Sequence, residues 1–195
     1  MDFSYPLDID CLNIAELCPY TKALGPGRRF AIWLQGCPRS CDGCISPEWR
    51  EFKKEQYFTP GELAQQINKS RGIEGITISG GEPMIQAVFL VEMLDLAHSH
   101  FPDLSVICFT GYILEELVES DSKSINDLLK HIDVLIDGPF IKSLDDGVGL
   151  RGSSNQRIRF LTERYADLQT WFETCERVSE DHLRKGYNLH VGLKK

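Results

Sequence analysis

RFAIWLQGCPRSCDGC, residues 29–44, is an apolar run that breaks into a loop carrying three cysteines. Residues 29–36 hold Phe30, Ile32 and Trp33 with no polar alternation, the composition of a strand buried on both faces. The loop then places Cys37, Cys41 and Cys44 within eight positions. Outward along the chain the same order recurs. GITISGGEP (Gly75–Pro83), LSVICFTGY (Leu104–Tyr112) and DVLIDGPF (Asp133–Phe140) are each a short apolar strand running into a turn. Helical stretches lie between them. Thr59–Ser70 opens with Thr59, Pro60 and Glu62, a capping-box start. Ala87–Phe101 has apolar residues at helical spacing and is stopped by Pro102, while Ile113–Ile132 is helical with a break near Ser120–Ser124. Strand and helix in alternation predict βαβ units, hence an α/β fold with a parallel sheet and outer helices. Sites in such sheets form beyond the carboxyl ends of the strands, so four loops are expected on one edge: the cysteine loop, GGEP, TGY and DGPF.

After Phe140 the pattern loosens. Lys142–Gln156 reads as a glycine- and serine-rich loop, Arg157–Leu161 as a short strand, Glu163–Val178 as a helix and Asn188–Leu193 as a last short strand. At 195 residues, 42% apolar and 26% charged, the chain is expected to form one soluble domain over 1–195. Its core spans about 11–160, followed by a C-terminal extension. No apolar run approaches membrane-span length, and MDFSYPLDID lacks a basic-then-apolar leader pattern, so a cytoplasmic protein is expected. A net charge of −8 argues against a general nucleic-acid surface. The basic pairs Arg28-Arg29, Lys53-Lys54 and Lys194-Lys195 read as solvated surface.

The seven cysteines are Cys11, Cys18, Cys37, Cys41, Cys44, Cys108 and Cys175. In a reducing compartment a tight cluster of them signals metal binding or catalysis rather than disulfides. Soft thiolates select zinc or iron–sulfur clusters. A structural zinc site needs a fourth ligand, and no histidine lies near the loop; His98 is the closest. A cubane cluster on three cysteines leaves one iron open for a substrate, as catalytic zinc sites keep one position free. Cys108, inside an apolar strand, and Cys175, on a helix, read as packing. Trp33 and Trp49 bracket the loop, as packing or as a shield.

The ordered set GPGRR (Gly25–Arg29), GCPRSCDGC, SPEWR (Ser46–Arg50), SGGEP (Ser79–Pro83), FTGYILEEL (Phe109–Leu117), DVLIDGPF and LRGSSNQRI (Leu150–Ile158) resembles the radical S-adenosylmethionine (radical SAM) superfamily. Within it the set is most similar to activating enzymes of glycyl radical proteins, above all those of anaerobic (class III) ribonucleotide reductase. The resemblance implies a partial (β/α) barrel of the radical SAM type. It implies a 4Fe-4S cluster on Cys37, Cys41 and Cys44, with SAM as the second cofactor. Cys44, with Gly43 and Ile45, would line the adenine side of SAM with backbone atoms. Gly80, Gly81, Glu82 and Pro83 form the GGEP element, with Glu82 facing the amino group of SAM. Thr110, Asp137, Arg151, Ser153, Asn155 and Gln156 become candidates for the cofactor or partner surface. A turn-capping role is the alternative for Asp137, and a surface ion pair for Arg151. The implied activity is reductive cleavage of SAM to place a glycyl radical on a partner, with a glycyl radical enzyme and an electron donor such as flavodoxin as partners; a radical SAM enzyme acting on a different peptide or small molecule is the alternative. Two positions depart from the common pattern. Gly43 stands where many members carry an aromatic residue, and Ser46 where an asparagine is frequent.

Overall fold

The computed structural model describes residues 3–176. The expected strand Asn188–Leu193 and the last turn of the expected helix Glu163–Val178 lie outside the described residues. A seven-stranded mixed sheet runs in the order β3-β1-β2-β4-β5-β6-β7. Its centre is the expected parallel set: β2 (Arg29–Leu34), β4 (Gly75–Gly80), β5 (Ser105–Phe109) and β6 (Val134–Asp137). All six residues of β2 and all four of β6 are buried, as their unbroken apolar runs require. Antiparallel strands flank this centre: β1 (Leu12–Thr21) and β3 (Gln56–Phe58) on one side, β7 (Arg157–Phe160) on the other.

β1 and β3 escaped the sequence reading. β1 carries two register shifts against β2, between Ile14 and Glu16 and between Cys18 and Thr21. Each bulge breaks the alternation of faces, so Ala15, Glu16 and Leu17 are all half-buried and no period of two survives. β3 has three residues, too few for any period.

The helices sit where expected. α1 (Pro60–Lys69) has its full capping box: Glu62 N–H donates to Thr59 Oγ1 (3.2 Å) and Thr59 N–H to Glu62 Oε2 (2.8 Å). α2 spans Ala87–His100. The expected break separates α3 (Leu114–Glu119) from α4 (Lys123–His131), with Asp121 between them at φ 52°. The expected helix from Glu163 divides into a 3-10 segment, Glu163–Leu168, and α5 (Gln169–Thr174), so Cys175 lies just past a helix end.

α1, α2 and α4 bury their apolar sides on one face of the sheet against Phe30, Ile32, Ile76, Ile78, Val106, Cys108 and Leu135. The other face is divided. Ala31 and Trp33 pack with Cys18, Leu24 and Trp49 at one side; Ile107, Val134 and Ile136 pack with Leu150 and Phe172 at the other. At the amino ends of the strands Arg29 is 0% exposed, which corrects the reading of Arg28-Arg29 as solvated surface. Its guanidinium donates to Thr77 Oγ1 (2.6 Å), Ile76 O (2.6 Å), Ser105 Oγ (3.0 Å), Tyr165 Oη (3.3 Å) and Pro26 O (3.3 Å). A buried cation persists only when its donors are satisfied, and here one side chain staples β2, β4, β5 and the segment after β7. Among the described residues no helix is long and apolar enough to cross a membrane.

Candidate active site

The loops leaving β2, β4, β5 and β6 at their carboxyl ends meet around one cavity of about 410 Å³. The loop after β2 contributes Cys37, Arg39, Cys41, Cys44 and Ile45; the turn after β4 contributes Gly80, Gly81 and Glu82. Thr110 and Gly111 follow from β5, Gly138 and Phe140 from β6, and Leu150, Arg151, Gly152 and Gln156 complete the wall. Four loops far apart in sequence are brought together by the parallel order of the strands.

The cysteine loop is tied at its base. Gly36 N–H donates to Trp49 O (2.8 Å) and Cys37 N–H to Arg50 O (3.0 Å), so the returning limb runs beside the outgoing one. Trp33 and Trp49 pack beneath it, ring centroids 5.7 Å apart, with Cys18 in the same cluster. Gly43 takes φ +66°, the left-handed region that a side chain enters only at a cost, and a Cβ there would run into the Lys142 side chain. That backbone conformation and the close Lys142 side chain account for glycine at this position. Gly43 itself is not on the cavity wall.

Cys37, Cys41 and Cys44 are free thiols. Burial pushes the Cys37 thiol up to about 12, with the Glu82 charge adding to it and the Arg39 N–H opposing. Burial also raises Cys44, against a hydrogen bond from the Ser46 N–H. As anions the three would repel one another, a repulsion that a bound cation reverses. No fourth cysteine and no histidine is on the cavity wall. Among the described residues, no three His, Cys, Asp or Glu side chains are already gathered as a ligand cluster.

Glu82 is 1% exposed and lines the cavity. Its Oε1 accepts from Thr110 Oγ1 (2.7 Å) and Met84 N–H (3.1 Å), its Oε2 from Gly111 N–H (2.9 Å). Burial raises its pKa; these three donors and the Arg39 cation oppose that. An ionised carboxylate has about four acceptor sites, so the turn after β4 and the loop after β5 leave it one. Thr110 is thereby a holder of Glu82. Gly81 explains the second glycine of GGEP: a Cβ there would overlap the Gly36 carbonyl oxygen and lie 2.8 Å from its carbon. The close approach is to the root of the cysteine loop, and Gly81 N–H donates to Leu34 O at 2.7 Å.

The remaining candidates scatter. Pro83 is buried at the start of a 3-10 turn, Pro83–Gln86, off the cavity wall. Asp137 is 0% exposed and also off the wall: it accepts from Leu114 N–H at the start of α3 (2.7 Å) and takes both Nε and Nη2 of Arg157 (3.1 and 2.8 Å). Its partners are thus the amino end of α3 and an arginine of β7 rather than its own Gly138-Pro139 turn. Arg151 is on the wall, 3.2 Å from Asp146. Ser153 is buried and accepts from Ile141 N–H, and Asn155 donates to Pro139 O (2.8 Å); both hold the loop from behind. Gln156 is on the wall, where it accepts from Gly152 and Ser153 N–H and donates to Gly138 O.

Sequence reasoning missed Arg39, although it is the basic residue inside the cysteine loop. Its guanidinium carbon sits 4.9 Å from the Tyr112 ring centroid, which joins the loops after β2 and β5.

The 4Fe-4S single cluster domain family matches residues 23–159. The chain is 32% identical over 158 residues to the anaerobic ribonucleoside-triphosphate reductase-activating protein of Vibrio cholerae, covering 77% of this chain and 99% of that one. It is 30% identical over 152 residues to the protein of that name from Enterobacteria phage T4, covering 75% and 93%. Against the pyruvate formate-lyase-activating enzyme of Staphylococcus epidermidis the identity is 26% over 156 residues, covering 74% and 59%. With its cysteine loop, glycine turn and four central parallel strands inside the matched region, the chain belongs to the 4Fe-4S single cluster domain family and, among radical SAM proteins, to the anaerobic ribonucleoside-triphosphate reductase-activating proteins.

Proposed function

We propose that this chain is a radical SAM activase that generates a glycyl radical on an anaerobic ribonucleotide reductase. The observation that carries this reading is the convergence of three free thiols of one loop with the Gly80–Glu82 turn and Thr110 on one cavity, with no fourth thiol on its wall. Cys37, Cys41 and Cys44 would hold a 4Fe-4S cluster; their soft, mutually repelling donor set suits one, and three ligands leave an iron for SAM. When bound, the cluster supplies the electron that splits the sulfonium of SAM into methionine and a 5′-deoxyadenosyl radical, which takes a hydrogen atom from a glycine Cα of the partner.

The protein's own part is positioning and exclusion of water. Glu82, with one acceptor site spare, would take the SAM ammonium as a charge-assisted contact. Gly80 and Gly81 would present backbone to the methionine part, and Cys44 with Ile45 would flank the adenine. Gly43 would act by shaping the loop, and Pro83 by stiffening the turn. Arg151 and Gln156 would face the incoming partner. Asp137, Ser153 and Asn155 would hold the loops that carry them. The reading takes the sheet as a partial (β/α) barrel in one domain over 1–195, working in the cytoplasm with an electron donor such as flavodoxin.

The test is anaerobic reconstitution with iron and sulfide, then reductant and SAM. The reading expects methionine and 5′-deoxyadenosine in equal amounts, and a glycyl radical signal once a ribonucleotide reductase partner is added. A fully loaded protein that leaves SAM intact would refute it.

A further inference from the structure

Gln86 lies at the end of the turn that follows Glu82, and it is 0% exposed. A buried amide is more costly than an apolar side chain of the same size unless every polar atom finds a partner. Here each does. Oε1 accepts from Asn13 N–H (2.8 Å), and Nε2 donates to Asn13 O (3.2 Å) and Gln35 O (3.0 Å). The last contact has two companions. Gly81 N–H donates to Leu34 O (2.7 Å) and Glu82 N–H to Gly36 O (2.9 Å). Three consecutive carbonyls, Leu34, Gln35 and Gly36, are therefore each taken by a donor from residues 81–86. They are the residues from which the cysteine loop departs. Asn13 extends the joint to the loop's returning limb, since its side chain donates to Lys53 O (2.8 Å) and accepts from Glu55 N–H (3.0 Å).

We propose that Gln86 is a positioning residue that locks the glycine turn Gly80–Glu82 and the root of the cysteine loop into one body. Its two peptide-like contacts to Asn13 and its grip on Gln35 O, a carbonyl shared with Tyr5 Oη (2.9 Å), reinforce the Gly81 and Glu82 N–H bonds that set the two halves of the site in register. This rests on the function proposed above for its consequence, the relation of SAM to the cluster, but not for the coupling itself.

The experiment compares wild type with Gln86→Met, which keeps length and volume and removes the donors and acceptor. Ile125→Val and Leu128→Ala, core residues of α4, serve as controls that lower stability elsewhere. Amide exchange is followed in the metal-free chain. Gln86→Met is expected to speed exchange about tenfold in segments 34–37 and 81–82 together, the size of one net hydrogen bond. The controls are expected to leave the rates of both segments unchanged relative to the other amides of β2 and β4, since they lower stability without touching this joint. On the reconstituted protein, Gln86→Met is expected to weaken SAM binding about tenfold at unchanged iron content. Faster exchange confined to 84–86, or wild-type affinity for SAM alongside a lowered melting temperature, would overturn the proposal. If Gln86→Met does not fold, Gln86→Leu is read in the same way, since it removes the same acceptor for Asn13 N–H and the donors to Asn13 O and Gln35 O without burying a charge. A wild-type protein that binds no SAM would refute the proposed function and leave the exchange prediction standing.

Discussion

Replacing Thr110 by valine tests whether Glu82 is held as an anion. Valine has nearly the shape of threonine, so no cavity opens. What disappears is the 2.7 Å hydrogen bond from Thr110 Oγ1 to Glu82 Oε1 and the acceptor of Tyr112 N–H at 3.2 Å. A hydrogen bond to a charged, fully buried group contributes about 1.5–3 kcal/mol, against about 1 kcal/mol for a neutral pair. Adding part of the cost of an orphaned N–H, Thr110→Val should destabilise by about 2–3 kcal/mol. For a chain of this size that is a fall in melting temperature of roughly 5–10 °C. Thr110→Ser keeps the hydroxyl and should recover most of it. The assay is urea unfolding of the metal-free protein, read by circular dichroism and repeated for both variants. A loss below about 1 kcal/mol for the valine variant would mean that Glu82 is not an anion anchored by Thr110, and its assigned contact with a cationic ammonium would lose its basis.

Other consequences follow from the same geometry. Arg29→Met should cost about 2–4 kcal/mol in chemical denaturation, because the buried oxygens of Thr77, Ser105 and Ile76 lose their donor; a variant as stable as wild type would contradict the staple. Gly81→Ala must displace the Gly36 backbone beside Cys37, so iron uptake on reconstitution should fall severalfold while the far-UV spectrum persists; full uptake would show that the cysteine loop adapts freely. His131 stacks on His98, rings 13° from parallel, with Asp95 at 3.3 Å and Asp127 and Lys130 nearby. Burial, then the His98 charge, lower its pKa, while Asp95 and Asp127 raise it. The folded state therefore binds fewer protons than the unfolded one, and stability should fall as pH drops below about 6.5. His131→Phe should flatten that slope in urea titrations between pH 7 and 5, and an unchanged slope would exclude His131 as its source.

The parallel half of the fold was legible because buried strands of a parallel sheet are continuous apolar runs, and each here ends at a glycine or threonine turn. Thr59 with Glu62, and Ser120–Ser124, marked helix boundaries by local chemistry that does not depend on distant contacts. β1 was not legible, since its bulges destroy the alternation that a sequence displays. Arg29 was misread because a run of two basic residues looks solvated. Its burial depends on Thr77 and Ser105, about 50 and 76 positions away. The same limit hid the division of labour in the site. Cys37, Cys41 and Cys44 announced themselves by spacing, and Gly81 and Glu82 by likeness to the GGEP element, whereas Asp137 and Asn155 are off the cavity wall for reasons of pairing that only the folded chain contains. Arg39 and Gln86 act through a ring and a set of carbonyls, and neither leaves a spacing signature.

The central claim is that Cys37, Cys41 and Cys44, and no other cysteine, hold the cluster and leave a place for SAM. The direct measurement is iron content and SAM cleavage across seven single alanine variants, one for each cysteine. The account predicts that Cys37→Ala, Cys41→Ala and Cys44→Ala each lose the cluster and all cleavage. Cys11→Ala, Cys18→Ala, Cys108→Ala and Cys175→Ala should keep full iron content and cleave SAM. Loss of the cluster in a folded variant of the second group, or cleavage surviving in the first, would contradict it.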